Sequence, residues 1–128
     1  MTIEFDNNAP IYIQIMNYIK KQIVIGKLGP GSKIESVRDL ASELQINPNT
    51  IQRTFQELER EGIVETKRGL GRYVTDEEST IMRIKKEMAS ELLDRFVSGM
   101  KELGFSGRDI ISLVSEAVES GSSNKEGA

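Results

Sequence analysis

Apolar residues recur early in the chain at Ile11, Ile15, Ile19 and Ile23. A spacing of four keeps side chains on one face of an α-helix. The pattern predicts a helix over 10–25, with Pro10 in its first turn and Gly26 as its stop. The stretch from Lys27 to Lys33 is dense in Gly, Pro and Ser and reads as a loop. A short second helix follows, buried through Val37, Leu40, Ala41 and Leu44. Ser36 with Asp39 three residues on resembles a capping box at its start. The run Gln45-Ile46-Asn47-Pro48 is a break in which Asn47 suits the N-cap and Pro48 the first helical position of a third helix. That helix runs to about Glu61, turns Ile51, Phe55 and Leu58 inward, and stops at Gly62.

The pattern then shifts from helix to strand. Residues 63–67 and 72–75 read as strands, and Arg68-Gly69-Leu70-Gly71 is a turn of hairpin length. Beyond Asp76, which suits a cap, helical periodicity returns over 77–103, with an apolar stripe of Ile81, Ile84, Met88, Leu92, Phe96 and Met100. Gly104 stops this helix. Ser106 with Asp109 resembles a second capping box, opening a short helix that carries Ile110, Ile111, Val114 and Val118. The tail 121–128 is polar and Gly/Ser-rich and is expected to be disordered. The fold class is mainly α with a small β-hairpin wing (α+β). A winged helix-turn-helix at 1–75 is followed by an α-helical hairpin at 76–120.

Two helices joined by about three residues, the second starting at a polar cap, form a helix-turn-helix pattern. Opposite its buried face, the third helix carries Asn49, Arg53, Gln56 and Arg60, flanked by Gln52. Asn, Gln and Arg are the side chains that read base edges in the major groove. Any surface helix has a polar face, so this helix alone decides nothing. The hairpin directly after it tips the balance, because it reads as a wing. Lys67, Arg68 and Arg72 near its tip suit phosphates or a minor groove. Gly69 and Gly71 permit close approach to the sugar-phosphate backbone.

Composition narrows the chemistry. The 128 residues include no Cys and no His, which removes the usual zinc ligands, disulfides and the commonest general base. Carboxylates are plentiful but fall mostly on exposed helix faces, and the sequence offers no nucleophile–base pair involving His or Cys and no phosphate loop of the Walker type. The chain therefore reads as a non-enzyme that needs no cofactor and no metal. It has no apolar run long enough for a membrane span and no signal-like start, so it reads as cytoplasmic, with no membrane partner. Net charge is −3, which does not suggest nucleic acid. The charge is uneven, however. Residues 1–75 carry 10 Lys+Arg against 9 Asp+Glu, and residues 76–128 carry 7 against 11. Phosphate binding depends on local basic density, because salt screens charges beyond about 8–10 Å. An acidic tail therefore leaves DNA binding open.

Residues 10–75 resemble the N-terminal domain of the GntR family of bacterial regulators. The matching strings are Pro10-Ile-Tyr-x-Gln-Ile, Gly26-Lys-Leu-x-Pro-Gly, Ser36-Val-Arg-Asp-Leu-Ala, Asn47-Pro-Asn-Thr, Phe55-Gln-Glu-Leu-Glu-Arg-Glu-Gly and Arg68-Gly-x-Gly. The short remainder after the wing is similar to the YtrA subfamily, whose two-helix tail serves dimerisation. The resemblance implies DNA contacts from Arg38, from Asn47, Asn49, Thr50 and Gln52, and from Arg68 and Gly69. Glu35 stands where the family usually has Pro, and Arg72 where Thr is common.

The expected function is a transcription regulator, most often a repressor, binding a palindromic double-stranded DNA operator as a homodimer. Lys33 and Arg38 would hold phosphates, Asn49 and Gln52 would read bases, and Arg53, Lys67, Arg68 and Arg72 would complete the contact. Two amphipathic helices of this size cannot bury their stripe alone and must pack on the winged-helix domain or on a copy of themselves. Ile81, Ile84, Met88, Leu92, Phe96, Met100, Ile111 and Val114 are therefore the candidate dimerisation residues. A small-molecule effector is left open; it would sit between the wing domain and the tail or in the dimer interface. The alternative is a winged helix used for protein–protein contact with no DNA role.

Overall fold

A computed structural model describes residues 2–127, with side chains through Gly121. Apart from Gly121, the tail expected to be disordered lies outside the residues whose side chains are described. The elements are α1 (Ile11–Val24), α2 (Val37–Leu44), α3 (Pro48–Arg60), β1 (Val64–Lys67), β2 (Gly71–Val74), α4 (Glu78–Glu102) and α5 (Gly107–Gly127). Among the described residues, five helices and one antiparallel hairpin give the mainly α, winged arrangement that the sequence pattern predicts.

The chain forms two compact units, Met1–Lys86 and Glu87–Ala128. In the first, α3 packs on α1 and α2 through Ile15, Ile19, Ile23, Leu40, Ile51, Phe55 and Leu58, all buried. Ile63, Val64 and Val74 extend this aliphatic core under the wing. Each fully buried side chain of this kind contributes about 1.5–3 kcal/mol. The first turns of α4 belong to the same unit. Ile84, assigned above to a dimer face, is buried at 1% exposure in a single chain. It serves the interior and is removed from the dimer set.

Local chemistry sets the helix ends. The Ser36 hydroxyl accepts from Asp39 N–H at 3.1 Å, and Asn47 Oδ1 accepts from Asn49 N–H at 2.8 Å. At α5 the capping box is reciprocal, with Asp109 N–H donating to Ser106 Oγ and Ser106 N–H to Asp109 Oδ2, both at 3.2 Å. Gly62, at φ +75°, closes α3, and Ile63 N–H reaches back to the Leu58 carbonyl at 3.0 Å. Only an achiral residue takes that backbone without strain. α4 opens differently from expectation. Thr75 Oγ1, not the Asp76 carboxylate, accepts from Glu77 N–H at 3.2 Å.

The wing has one more rail than the sequence suggested. β1 and β2 pair with Val64 opposite Val74 and Lys67 opposite Gly71. On the far side of β2, Ile34 N–H donates to the Arg72 carbonyl at 2.9 Å and Val74 N–H to the Ser32 carbonyl at 2.8 Å. Lys33 bridges Tyr73. The end of the segment read as a loop thus runs as a short edge along β2. Its Gly-Pro-Gly turn signals hid this.

Candidate nucleic-acid interface

α2 and α3 meet across a tight turn in which Gln45 takes a left-handed conformation, φ 55°. This turn sets where α3 presents its first residues. Asn49 is exposed, and Thr50 and Gln52 are half-buried. Asn47 is exposed, but its side-chain oxygen is committed to the cap, so the amide NH₂ is the part left for a ligand. Arg38 is exposed in the first turn of α2 and lines a shallow groove with Val37, Ala41, Ser42, Ile46 and Pro48. The geometry brings Arg38 and the start of α3 to the two walls of one depression.

The wing divides its charges. Arg68 and Gly69 are exposed in the turn, with Gly69 at φ +77°. Lys67 lies with its ammonium 4.5 Å from the centroid of the Tyr73 ring. The Lys33 stem crosses Gly71 so closely that a Cβ there would sit 3.0 Å from Lys33 Cε. Arg72 departs from expectation. Its Nε donates to Glu59 Oε1 at 3.0 Å, and its guanidinium lies 5.1 Å from the Phe55 ring centroid. The Thr66 hydroxyl donates to the same Glu59 oxygen. Arg72 is therefore a strut between wing and α3, not a free charge at the tip.

Arg53 departs as well. It lies over the Tyr12 ring of α1, 3.9 Å from the centroid, not straight out from α3. Tyr12 and Glu59 are the two site residues that sequence reasoning missed. Tyr12 lies one position off the Ile11–Ile23 stripe and reads as surface, while Glu59 reads as one more charge on a polar helix. The far end of α3 is also fixed. Lys20 Nζ meets Glu61 Oε1 at 3.1 Å, and Arg83 Nη2 donates to the Glu61 carbonyl at 3.0 Å.

Near Arg38, one acidic feature opposes DNA. The Glu35 carboxyl titrates above the ordinary carboxylate range, because its protonated form hydrogen-bonds Glu43 and because it is partly desolvated. Among the described residues, no group of three or more His, Cys, Asp or Glu could hold a metal. No described helix is long and apolar enough to cross a membrane.

Residues 11–74 match the family model described as "Bacterial regulatory proteins, gntR family", half of the chain. The HTH-type transcriptional regulator YhcF of Bacillus subtilis (strain 168) is 40% identical over 121 residues, covering 94% of this chain and 100% of that protein. The chain belongs to the GntR family. The GntR assignment is extended by the HTH-type transcriptional repressor YtrA of the same organism. It is 37% identical over 101 residues, covering 74% of this chain and 78% of its own length. A solved structure of a GntR family transcriptional regulator from Listeria monocytogenes superposes with a TM-score of 0.80 at 42% identity, covering 88% of this chain and 98% of that one. This GntR protein is a YtrA-like, DNA-binding transcription regulator. Its homologues are regulators, not enzymes.

Proposed function

We propose that this GntR regulator is a repressor that occupies a palindromic operator as a homodimer in the bacterial cytoplasm. The observation that carries the reading is the apolar surface left on the second unit. Leu92 is 62% exposed, Phe96 42%, Ile111 71% and Val118 63%. Leu93, Phe96, Met100, Leu113, Val114 and Val118 line one almost wholly apolar groove.

A helix pair with that much aliphatic surface needs a cover, and a second copy of the same face supplies one. Ile81, Met88, Leu92, Phe96, Met100, Ile111 and Val114 are the residues proposed to meet across it. A palindromic operator whose half-sites lie one duplex turn, roughly 34 Å, apart would be read by one α3 from each protomer.

On each half-site Asn49 and Gln52 read base edges, Asn47 and Thr50 flank them, and Lys33 and Arg38 hold phosphates. Lys67, Arg68 and Gly69 follow the neighbouring backbone or minor groove. The test is fluorescence anisotropy on the DNA upstream of its own gene against scrambled DNA, across a salt series. Preferential binding by two protomers with a steep salt slope is the expected result. Equal, weak binding to both DNAs, together with no preferred sequence in a genome-wide selection, would overturn it.

A further inference from the structure

The three arginines on or beside α3 have different fates. Arg72 is held by Glu59, and Arg60 pairs with Glu57 at 3.3 Å. Arg53 instead lies over the Tyr12 ring, 3.9 Å from its centroid. Among the described residues no carboxylate or carbonyl accepts a hydrogen bond from its guanidinium. Arg53 is exposed, while Tyr12 is half-buried in the first turn of α1. A guanidinium held over an aromatic ring with its N–H groups unpaired keeps them available for an oxyanion. Less side-chain freedom is then lost when the contact forms. The contact draws the Arg53 guanidinium toward α1. Arginine contacts to phosphate oxygens fix a protein's register on the duplex.

We propose that Tyr12 is a positioning residue of the DNA interface, holding Arg53 ready for one backbone phosphate in each half-site. The inference rests on the DNA-binding reading, and the experiment separates the two. Full-length protein first selects its operator from random duplex DNA. Recovery of no preferred sequence at that step would overturn the sequence-reading function itself, before any variant is made.

Affinities for that operator and for a scrambled duplex are then measured across a salt series. The proteins are wild type, Tyr12→Phe, Tyr12→Leu, Arg53→Gln and the double variant that combines Tyr12→Leu with Arg53→Gln. Tyr12→Phe keeps the ring face and binds as wild type. Tyr12→Leu weakens binding to both duplexes by about two- to fivefold per half-site. Arg53→Gln weakens both and lowers the salt slope by about one per protomer. In the Arg53→Gln background, Tyr12→Leu has no further effect, a result that general loss of stability would not produce. The same loss from Tyr12→Leu in both backgrounds overturns the proposal. So does an Arg53→Gln variant that keeps its salt slope and relaxes preference at one base pair, which would make Arg53 a base reader.

Discussion

Gln45 holds a left-handed backbone, φ 55°, in the turn between α2 and α3. A side chain with a Cβ is strained there, and the turn sets the placement of α3. Gln45→Gly is expected to raise stability by about 0.5–1 kcal/mol in urea unfolding, and Gln45→Val to lower it. Glu59 tests the strut. Glu59→Ala frees Arg72 and Thr66 together and is expected to cost about 1 kcal/mol. It should also weaken operator binding through a looser wing, read by anisotropy. Glu35 gives a pH prediction. Its folded-state pKa is raised, so protonation favours the folded form; that contribution is present at low pH and is lost as pH rises through the folded pKa. On lowering pH it also sheds its charge before ordinary carboxylates do. Binding to scrambled DNA should therefore tighten on mild acidification in the wild type, and by less in Glu35→Gln, measured over the same pH series.

Elements were legible where one periodicity ran uninterrupted. The isoleucine stripe of α1, the Asn47-Pro48 start of α3 and the Ser106–Asp109 box of α5 each combine a period with a cap or a stop, two signals that agree. The third rail of the wing was not legible, because an edge made by a single bridge has no period to show. Arg53 and Arg72 were legible as cations but not by partner. Tyr12 lies in α1, and Glu59 lies 13 residues before Arg72 on a different element; a helical wheel shows no neighbour beyond its own helix. The start of α4 was read one residue early: Glu77, whose carbonyl accepts from Ile81 N–H, flanks the helix, which begins at Glu78, and the Asp76 cap signal pointed one position too soon. At this scale the tail also carries its own prediction. Phe96→Glu puts a charge on the exposed apolar face and is expected to abolish the proposed dimer in analytical ultracentrifugation, with helix content by circular dichroism retained.

Over the whole molecule, a net charge of −3 coexists with DNA binding because the first 75 residues and the remainder differ in sign. Screening lets the basic part act locally. The structure also bears on where such a protein can be cut. The sequence pattern changes at residue 75, yet the first compact unit runs to Lys86, inside the uninterrupted helix α4. Arg83 ties to the residue that caps α3, and Ile84 is sealed from solvent. A fragment ending at residue 75 loses both, whereas one ending at 86 keeps them. Removing a buried isoleucine alone costs about 2–5 kcal/mol, a large part of a small domain's stability. The shorter fragment should melt well below the longer one. For anyone designing a minimal DNA-reading module or a chimaera, the natural splice point lies inside a helix, and a donor effector domain would be joined in helical register there instead of through a flexible linker.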